Sequence, residues 1–238
     1  NMEASFIFKE FFDRTIGKNN YEFRSSQSFV DSSLRENYLF NSTINGIEES
    51  DFIVMIGTNP RFEATIVNAR IRKAYLNNNT EIISLNNVGD LTYSYKSLDG
   101  ATQTIKDIID NKHEVSKKIL EAKKPMIILG DSFLNTKSAK ILFYSLKEFL
   151  FKNNKFTEDW NPLNILATNA ATVGNLDLDI INEKDDLISD LNQNKFELIY
   201  LLGQDDLKFS KKNEFIIYQG SHGDKGAEIA DIILPGAA

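Results

Sequence analysis

The chain of 238 residues has no cysteine, two histidines, four prolines and one tryptophan. Without cysteine these residues can form no disulfide, thiolate nucleophile, Cys-held zinc or Cys-ligated iron–sulfur cluster. His113 and His222 alone cannot build a His-rich metal site. Positive charge is also short, with 27 Lys and Arg against 34 Asp and Glu and a net charge of -7. A general nucleic-acid binder needs a basic face to displace counterions, so no nucleic acid is expected as a partner. No apolar run approaches the roughly 20 residues that span a bilayer, which excludes direct membrane insertion by a helix. The opening Asn1-Met2-Glu3 carries no signal-peptide pattern, and it reads as the start of an excised fragment.

What remains is an ordinary globular composition, 42% apolar and 26% charged. The length suffices for one sizeable α/β domain or two small ones. Four short apolar runs each end at or next to a glycine. They are Phe52-Ile53-Val54-Met55-Ile56, Met126-Ile127-Ile128-Leu129, Leu198-Ile199-Tyr200-Leu201-Leu202 and Phe215-Ile216-Ile217-Tyr218. Continuous rather than alternating hydrophobicity marks strands buried on both faces, as in a parallel sheet between helices. Ile82-Ile83-Ser84-Leu85 and Asn164-Ile165-Leu166-Ala167 add two more strands.

Helical patterns alternate with these runs. Asn59 is placed to cap a helix that opens at Pro60, buries Val67, Ile71, Ala74 and Tyr75, and ends at Asn77-Asn78-Asn79. A second helix begins near Thr136, with Ala139, Leu142, Phe143, Leu146, Phe149 and Leu150 at helical spacing. Residues 4–12, 105–109, 114–122 and 184–191 are weaker helical stretches. The fold class is therefore α/β, a doubly wound, mostly parallel sheet with flanking helices. The four glycine-ended runs are expected as parallel neighbours, with Val67, Ile71 and Tyr75 packed onto them. The polar stretch 152–162, which contains Trp160, is the linker candidate. It divides a Rossmann-like α/β region, 1–151, from a second α/β region, 152–238, which either stands apart or completes the same domain.

In an open parallel sheet, ligands sit beyond the carboxyl ends of the strands. Gly57-Thr58-Asn59-Pro60-Arg61, Gly130-Asp131-Ser132, Gly203-Gln204-Asp205-Asp206 and Gly220-Ser221-His222-Gly223 are expected along one such rim. No G-x-G-x-x-G follows a strand, and no G-x-x-x-x-G-K-[ST] occurs, so glycines that merely end buried strands are the favoured reading. His222 with Asp224 cannot complete a metal shell, and His113 reads as a surface helix residue. The pairs Glu48-Glu49, Asp185-Asp186 and Asp205-Asp206 read as solvated surface, only the last lying at a strand end. Lys117-Lys118, Lys123-Lys124 and Lys211-Lys212 are too dispersed for a basic patch, and no serine lies in a G-x-S-x-G elbow. No catalytic, cofactor-binding or metal residue is assigned. Arg61 and Lys225 are the only cations expected to favour an anion at the rim.

Longer motifs carry a resemblance. Gly57-Thr58-Asn59-Pro60-Arg61-Phe62-Glu63-Ala64 leads to Asn68-Ala69-Arg70-Ile71-Arg72-Lys73, then Asp90-Leu91-Thr92-Tyr93 and Ala122-Lys123-Lys124-Pro125-Met126. Tyr218-Gln219-Gly220-Ser221-His222-Gly223-Asp224 and Ala230-Asp231-Ile232-Ile233-Leu234-Pro235-Gly236-Ala237-Ala238 complete the set. In this order they resemble the large iron–sulfur subunit of respiratory complex I, the proton-pumping NADH:quinone oxidoreductase. The resemblance implies a C-terminal fragment with the molybdopterin-oxidoreductase fold. It further implies a scaffold that supports electron transfer from NADH to quinone without performing it. The 4Fe-4S and 2Fe-2S clusters would lie in the preceding region, with no cofactor in this fragment. The implied partners are other subunits of the peripheral arm, on the cytoplasmic side of a bacterial inner membrane or the matrix side of a mitochondrial one. Two other readings stand beside it: a piece of a true molybdopterin enzyme such as a formate dehydrogenase, and a free-standing nucleotide-binding module.

Overall fold

The computed structural model describes residues 2–17, 20–24, 28–182, 187–207 and 209–237. The strands are β1 Phe52–Ile56, β2 Glu81–Leu85, β3 Lys96–Leu98, β4 Pro125–Gly130, β5 Leu163–Leu166, β6 Leu198–Leu202, β7 Phe215–Gly220 and β8 Ile232–Pro235. The helices are α1 Met2–Thr15, α2 Thr43–Gly46, α3 Pro60–Glu63, α4 Thr65–Asn78, α5 Thr102–Ile109, α6 Glu114–Glu121, α7 Asp131–Leu134, α8 Ala139–Lys152, α9 Thr172–Asp177, α10 Leu187–Asn192 and α11 Lys225–Ile229. Contacts divide the chain into two compact units, Asn1–Ser5 with Ser28–Asp179, and Phe6–Gln27 with Ile180–Ala238. The expected division at 151/152 thus falls inside the first unit. Residues 152–162 do not behave as a linker, because β5 follows them and pairs with β4, while Trp160 is buried and donates from Nε1 to the Pro125 carbonyl at 2.8 Å.

The first unit holds a five-stranded sheet in the order β3-β2-β1-β4-β5, parallel throughout. All of β1 and β4 is buried, and their residues alternate between two cores. Phe52, Val54 and Ile56, with Ile127 and Leu129, pack on Leu142, Phe143 and Leu146 of α8 and on α5 and α6. Ile53 and Met55, with Met126 and Ile128, pack on Val67 and Ile71 of α4 and on Trp160. Side chains alternate across a strand, so a sheet covered on both faces needs an apolar residue at every position. Each such side chain contributes about 1.5–3 kcal/mol by leaving water.

The second unit holds a three-stranded parallel sheet, β6-β7-β8. Leu201, Ile216 and Tyr218 form its buried centre under α11 and residues Leu207 and Phe209. On the other face the rings of Phe8 and Phe12 meet Tyr200 at 4.9 and 5.4 Å. The four glycine-ended runs are therefore neighbours in pairs, β1 with β4 and β6 with β7, and not in one sheet.

Several local expectations are refined. The helix at Pro60 breaks at Ala64 (φ -153°, ψ 73°) into α3 and α4. Asn59 precedes Pro60 but makes no cap; its Nδ2 donates to the Val88 carbonyl at 2.9 Å. Asn79 ends α4 in the left-handed region (φ 53°), which asparagine tolerates. His113 is the N-cap of α6, its Nδ1 accepting from the Val115 N–H at 3.2 Å. Of the stretch 184–191, residues 184–186 lie outside the described residues, as does the Asp185-Asp186 pair.

A buried carboxylate fastens the segment before β1 to α8. Asp31 is 8% exposed and accepts from Asn37 Nδ2 (2.7 Å), Tyr144 Oη (2.9 Å) and the Ser33 N–H (2.9 Å). Burial pushes its carboxyl up, but the bonds from Ser33 and Tyr144 and the charge of Lys147 outweigh this and hold it below the usual range. A depressed carboxyl contributes stability above its unfolded value and loses it as the pH falls through the folded one. Asp31→Asn is expected to cost on the order of 1–3 kcal/mol at pH 7. Urea unfolding from pH 7 down to acid should show that difference shrinking as the wild-type carboxyl protonates.

Candidate functional site

The winding of the five-stranded sheet reverses between β1 and β4, and a crevice at such a switch point is where open α/β sheets take ligands. Here the turns at that point pack directly on the chain's own backbone. β1 turns out through Gly57 at φ 66°, and a Cβ on Gly57 would sit 2.3 Å from the Phe133 nitrogen. A Cβ on Gly130, at the end of β4, would sit 2.5 Å from both the Gly57 oxygen and the Thr58 Cβ. The Ser132 N–H donates to the Gly57 carbonyl at 3.1 Å. Both glycines are thus required by close backbone approach within the chain.

The polar side chains of the same rim are bonded to the chain's own loop after β2. Buried Thr58 donates from Oγ1 to Glu63 Oε2 at 2.6 Å. Arg61 donates to both the carbonyl and Oδ2 of Asp90 at 2.6 Å. Buried Asn68 donates to the Leu91 carbonyl (3.1 Å) and accepts from Tyr93 Oη (2.9 Å). Asp90 is held below the usual carboxylate range, first by the Thr92 N–H and then by Arg61. Thr92 sits at φ 72°, a strained conformation for a β-branched residue, and the surrounding bonds hold it there. Asn59 Oδ1 is buried without a hydrogen-bond partner. Burial pushes the Asp131 carboxyl up, with the Thr168 N–H opposing and Glu63 adding repulsion. The rim therefore presents an engaged cation and two acids.

The second sheet has its own rim, so the four expected turns do not share one. Asp205 and Asp206 part ways there. Asp205 accepts the Gly226 N–H at 2.9 Å and lies 3.0 Å from Tyr218 Oη, which is also 3.1 Å from the His222 carbonyl. Burial first, then Asp205, pushes the Tyr218 phenol up. Asp206 is exposed. His222 is exposed too, with its ring Nδ1 2.9 Å from Ser221 Oγ; Asp224 is the N-cap position of α11 and makes no side-chain cap bond.

Elsewhere the charged doublets are structural. Glu48 is held below the usual range by Lys73 and Arg70, and Glu49 pairs with Lys124. Lys118 pairs with Glu81 and Lys211 with Asp231. Among the described residues no group of three or more His, Asp or Glu is arranged to hold a metal, and no helix is long and apolar enough to cross a membrane. A hollow of about 420 Å³ opens at the amino ends of β2 and β3, away from the rim, beside Tyr75, Glu81, Tyr95 and Lys96. Sequence reasoning did not find the Asp90–Tyr93 loop as the partner of Arg61 and Asn68, or Val88 as that of Asn59. The signal for it was the motif Asp90-Leu91-Thr92-Tyr93, noted for its wording and not for its contacts.

Comparison with known proteins places this fold among its relatives. The molybdopterin oxidoreductase family model matches residues 1–238. The NADH-ubiquinone oxidoreductase 75 kDa subunit of Reclinomonas americana is 38% identical over 255 residues, covering 100% of this chain and 36% of that protein. The mitochondrial NADH-ubiquinone oxidoreductase 78 kDa subunit of Candida albicans is 40% identical over 208 residues, 86% of this chain and 28% of that protein. The mitochondrial NADH dehydrogenase [ubiquinone] iron-sulfur protein 1 of Solanum tuberosum is 33% identical over 238 residues, 99% of this chain and 31% of that protein. The chain spans about a third of the length of these relatives.

The crossing turns and the loop clamp differ in how they respond to substitution. Gly57→Ala is expected to cost about 2–5 kcal/mol, from overpacking and from the left-handed backbone, and Gly130→Ala about 1–3 kcal/mol, from overpacking. Asn68→Ala should cost about 1–3 kcal/mol by leaving buried groups unpaired. Arg61→Ala, which removes an exposed contact, should cost less than Asn68→Ala. Chemical denaturation of the four variants checks this order.

Proposed function

The chain belongs to the molybdopterin oxidoreductase family, and from that membership we propose that it is a structural scaffold domain of the large iron–sulfur subunit of a proton-pumping NADH:quinone oxidoreductase. The names of the three relatives favour this assembly over a molybdenum enzyme such as a formate dehydrogenase. In this reading the 4Fe-4S and 2Fe-2S clusters belong to another part of the subunit, and electrons pass from NADH to quinone without entering this domain. Its partners are other subunits of the peripheral arm, on the matrix or cytoplasmic side of the membrane.

One observation carries the scaffold reading. The family's cofactor is a dinucleotide with at least two phosphate charges, and the residues at the switch point do not fit it. The Gly57 and Gly130 turns pack on the chain's own backbone, Arg61 is bonded to Asp90, and Glu63 and Asp131 would repel phosphate. Without a phosphate-cradling loop nothing offsets that repulsion. The unpartnered Asn59 Oδ1 is one neutral acceptor and cannot reverse it.

The test is made on the full-length protein, tagged at its own locus. Native gels of solubilised membranes should show the tag migrating with NADH:quinone oxidoreductase activity, and the purified complex should contain iron without stoichiometric molybdenum. The 238-residue chain alone should not oxidise NADH with an artificial acceptor. A tag that separates from the activity, or a content near one molybdenum per chain, overturns the reading.

A further inference from the structure

We propose that the outward face of α8 is a docking surface for an acidic, partly apolar surface of a partner protein, a proposal that rests on the scaffold reading. Lys140, Ile141, Tyr144, Glu148 and Phe151 share one side of the helix by their spacing, and Lys137 lies in the turn just before it. The opposite side, with Leu142, Phe143, Leu146, Phe149 and Leu150, is buried in the first unit's core. A helix with one face so buried is expected to be polar on the other. Instead Ile141 is 72% exposed, Phe151 71% and Tyr144 44%. Tyr144 is already ordered by its bond to Asp31 Oδ2 at 2.9 Å and by ring contacts with Phe29 and Phe143. A rigid aromatic beside exposed aliphatics loses little freedom on binding, which is the character of an interface anchor.

Charge selects the occupant. Among the described residues Lys137 and Lys140 have no ion-pair or hydrogen-bond partner, whereas Lys147 is bonded to Glu36 and Asn37, and Lys152 to Glu148. Lys137 and Lys140 lie beside the exposed Ile141 and Tyr144 side chains. Such a strip complements carboxylates set beside apolar groups on another protein. An anionic membrane is the poorer match, because headgroup binding usually takes clusters of about 4–8 basic residues.

The intact complex, carrying the tagged full-length protein, is labelled with a lysine-acetylating reagent and separately treated with a zero-length carbodiimide cross-linker. Lys137 and Lys140 should label about tenfold less in the complex than after its dissociation, as buried interface groups do. Both should cross-link to Asp or Glu of a different polypeptide. Ile141→Asp should leave thermal unfolding of the chain unchanged while lowering its incorporation into the complex about tenfold, the loss of one anchor. Equal labelling in the two states, with the tag still in the complex, overturns the surface and leaves the function standing. Cross-links only to a second copy of the same protein, or protection that appears only when anionic-lipid vesicles are added, overturn the stated partner. Normal incorporation of Ile141→Asp also counts against the proposal, and a tag that never enters the complex overturns function and surface together.

Discussion

The Ser132 N–H bonded to the Gly57 carbonyl fixes what the five-stranded sheet can do at its carboxyl rim. It draws the turn after β1 against the first turn of α7, so closely that neither Gly57 nor Gly130 has room for a methyl group. The usual function of a glycine at such a rim is to let backbone approach a phosphate. Here it lets backbone approach backbone. The same residue type at the same topological position therefore serves packing within the chain.

That contact is possible because β1 and β4 are held in register along their whole length, Phe52 opposite Pro125 through Ile56 opposite Leu129. Both strands are buried on both faces, so a slip of one residue would exchange two packed layers, the α8 side and the α4 side. Register at the strand ends is set by the core beneath them, and the geometry of the rim follows. The strained Thr92 conformation is sustained in a comparable way. Bonds from Arg61 to Asp90, from Asn68 to Leu91 and from Asn59 to Val88 hold the loop before it, and the Tyr93 hydroxyl, which donates to Asn68 Oδ1, holds it after.

Legibility in the sequence followed hydrophobic period and residue count. The runs at Phe52, Met126, Leu198 and Phe215 were readable as parallel strands from an apolar residue at every position, but the burial on both faces that this pattern implies holds for the first two and not for the partly exposed β6 and β7. Their partition into two sheets was not readable, since identical local patterns carry no pairing information. β3 was missed: its three residues, Lys96-Ser97-Leu98, are an edge strand with too little burial to leave a pattern. The division of the chain was misplaced for a related reason. The polar residues around Trp160 look like a linker, yet the indole reaches the Pro125 carbonyl and the chain re-enters the sheet as β5. At the rim, sequence supplied the residues Asn59, Arg61 and Asp131 but not their partners, because those come from a loop about 29 positions away or from backbone.

The motif residues still need an explanation if no ligand uses them. A position can be constrained by contact with a ligand or by contact with the rest of the chain, and the structure distinguishes the two. Arg61, Asn68 and Tyr93 direct their polar atoms at Asp90 and Leu91 or at one another. Replacing any of them leaves a buried or strained segment short of a partner, a cost that exists whether or not a cofactor ever binds. The loop they fasten packs Leu91 and Tyr93 against Val67 and Ile71 of α4, so the polar clamp and the apolar core over that face of the sheet support each other. Stability alone is therefore enough to keep these residues in place around a closed rim, and α4 needs the loop as much as the loop needs Arg61.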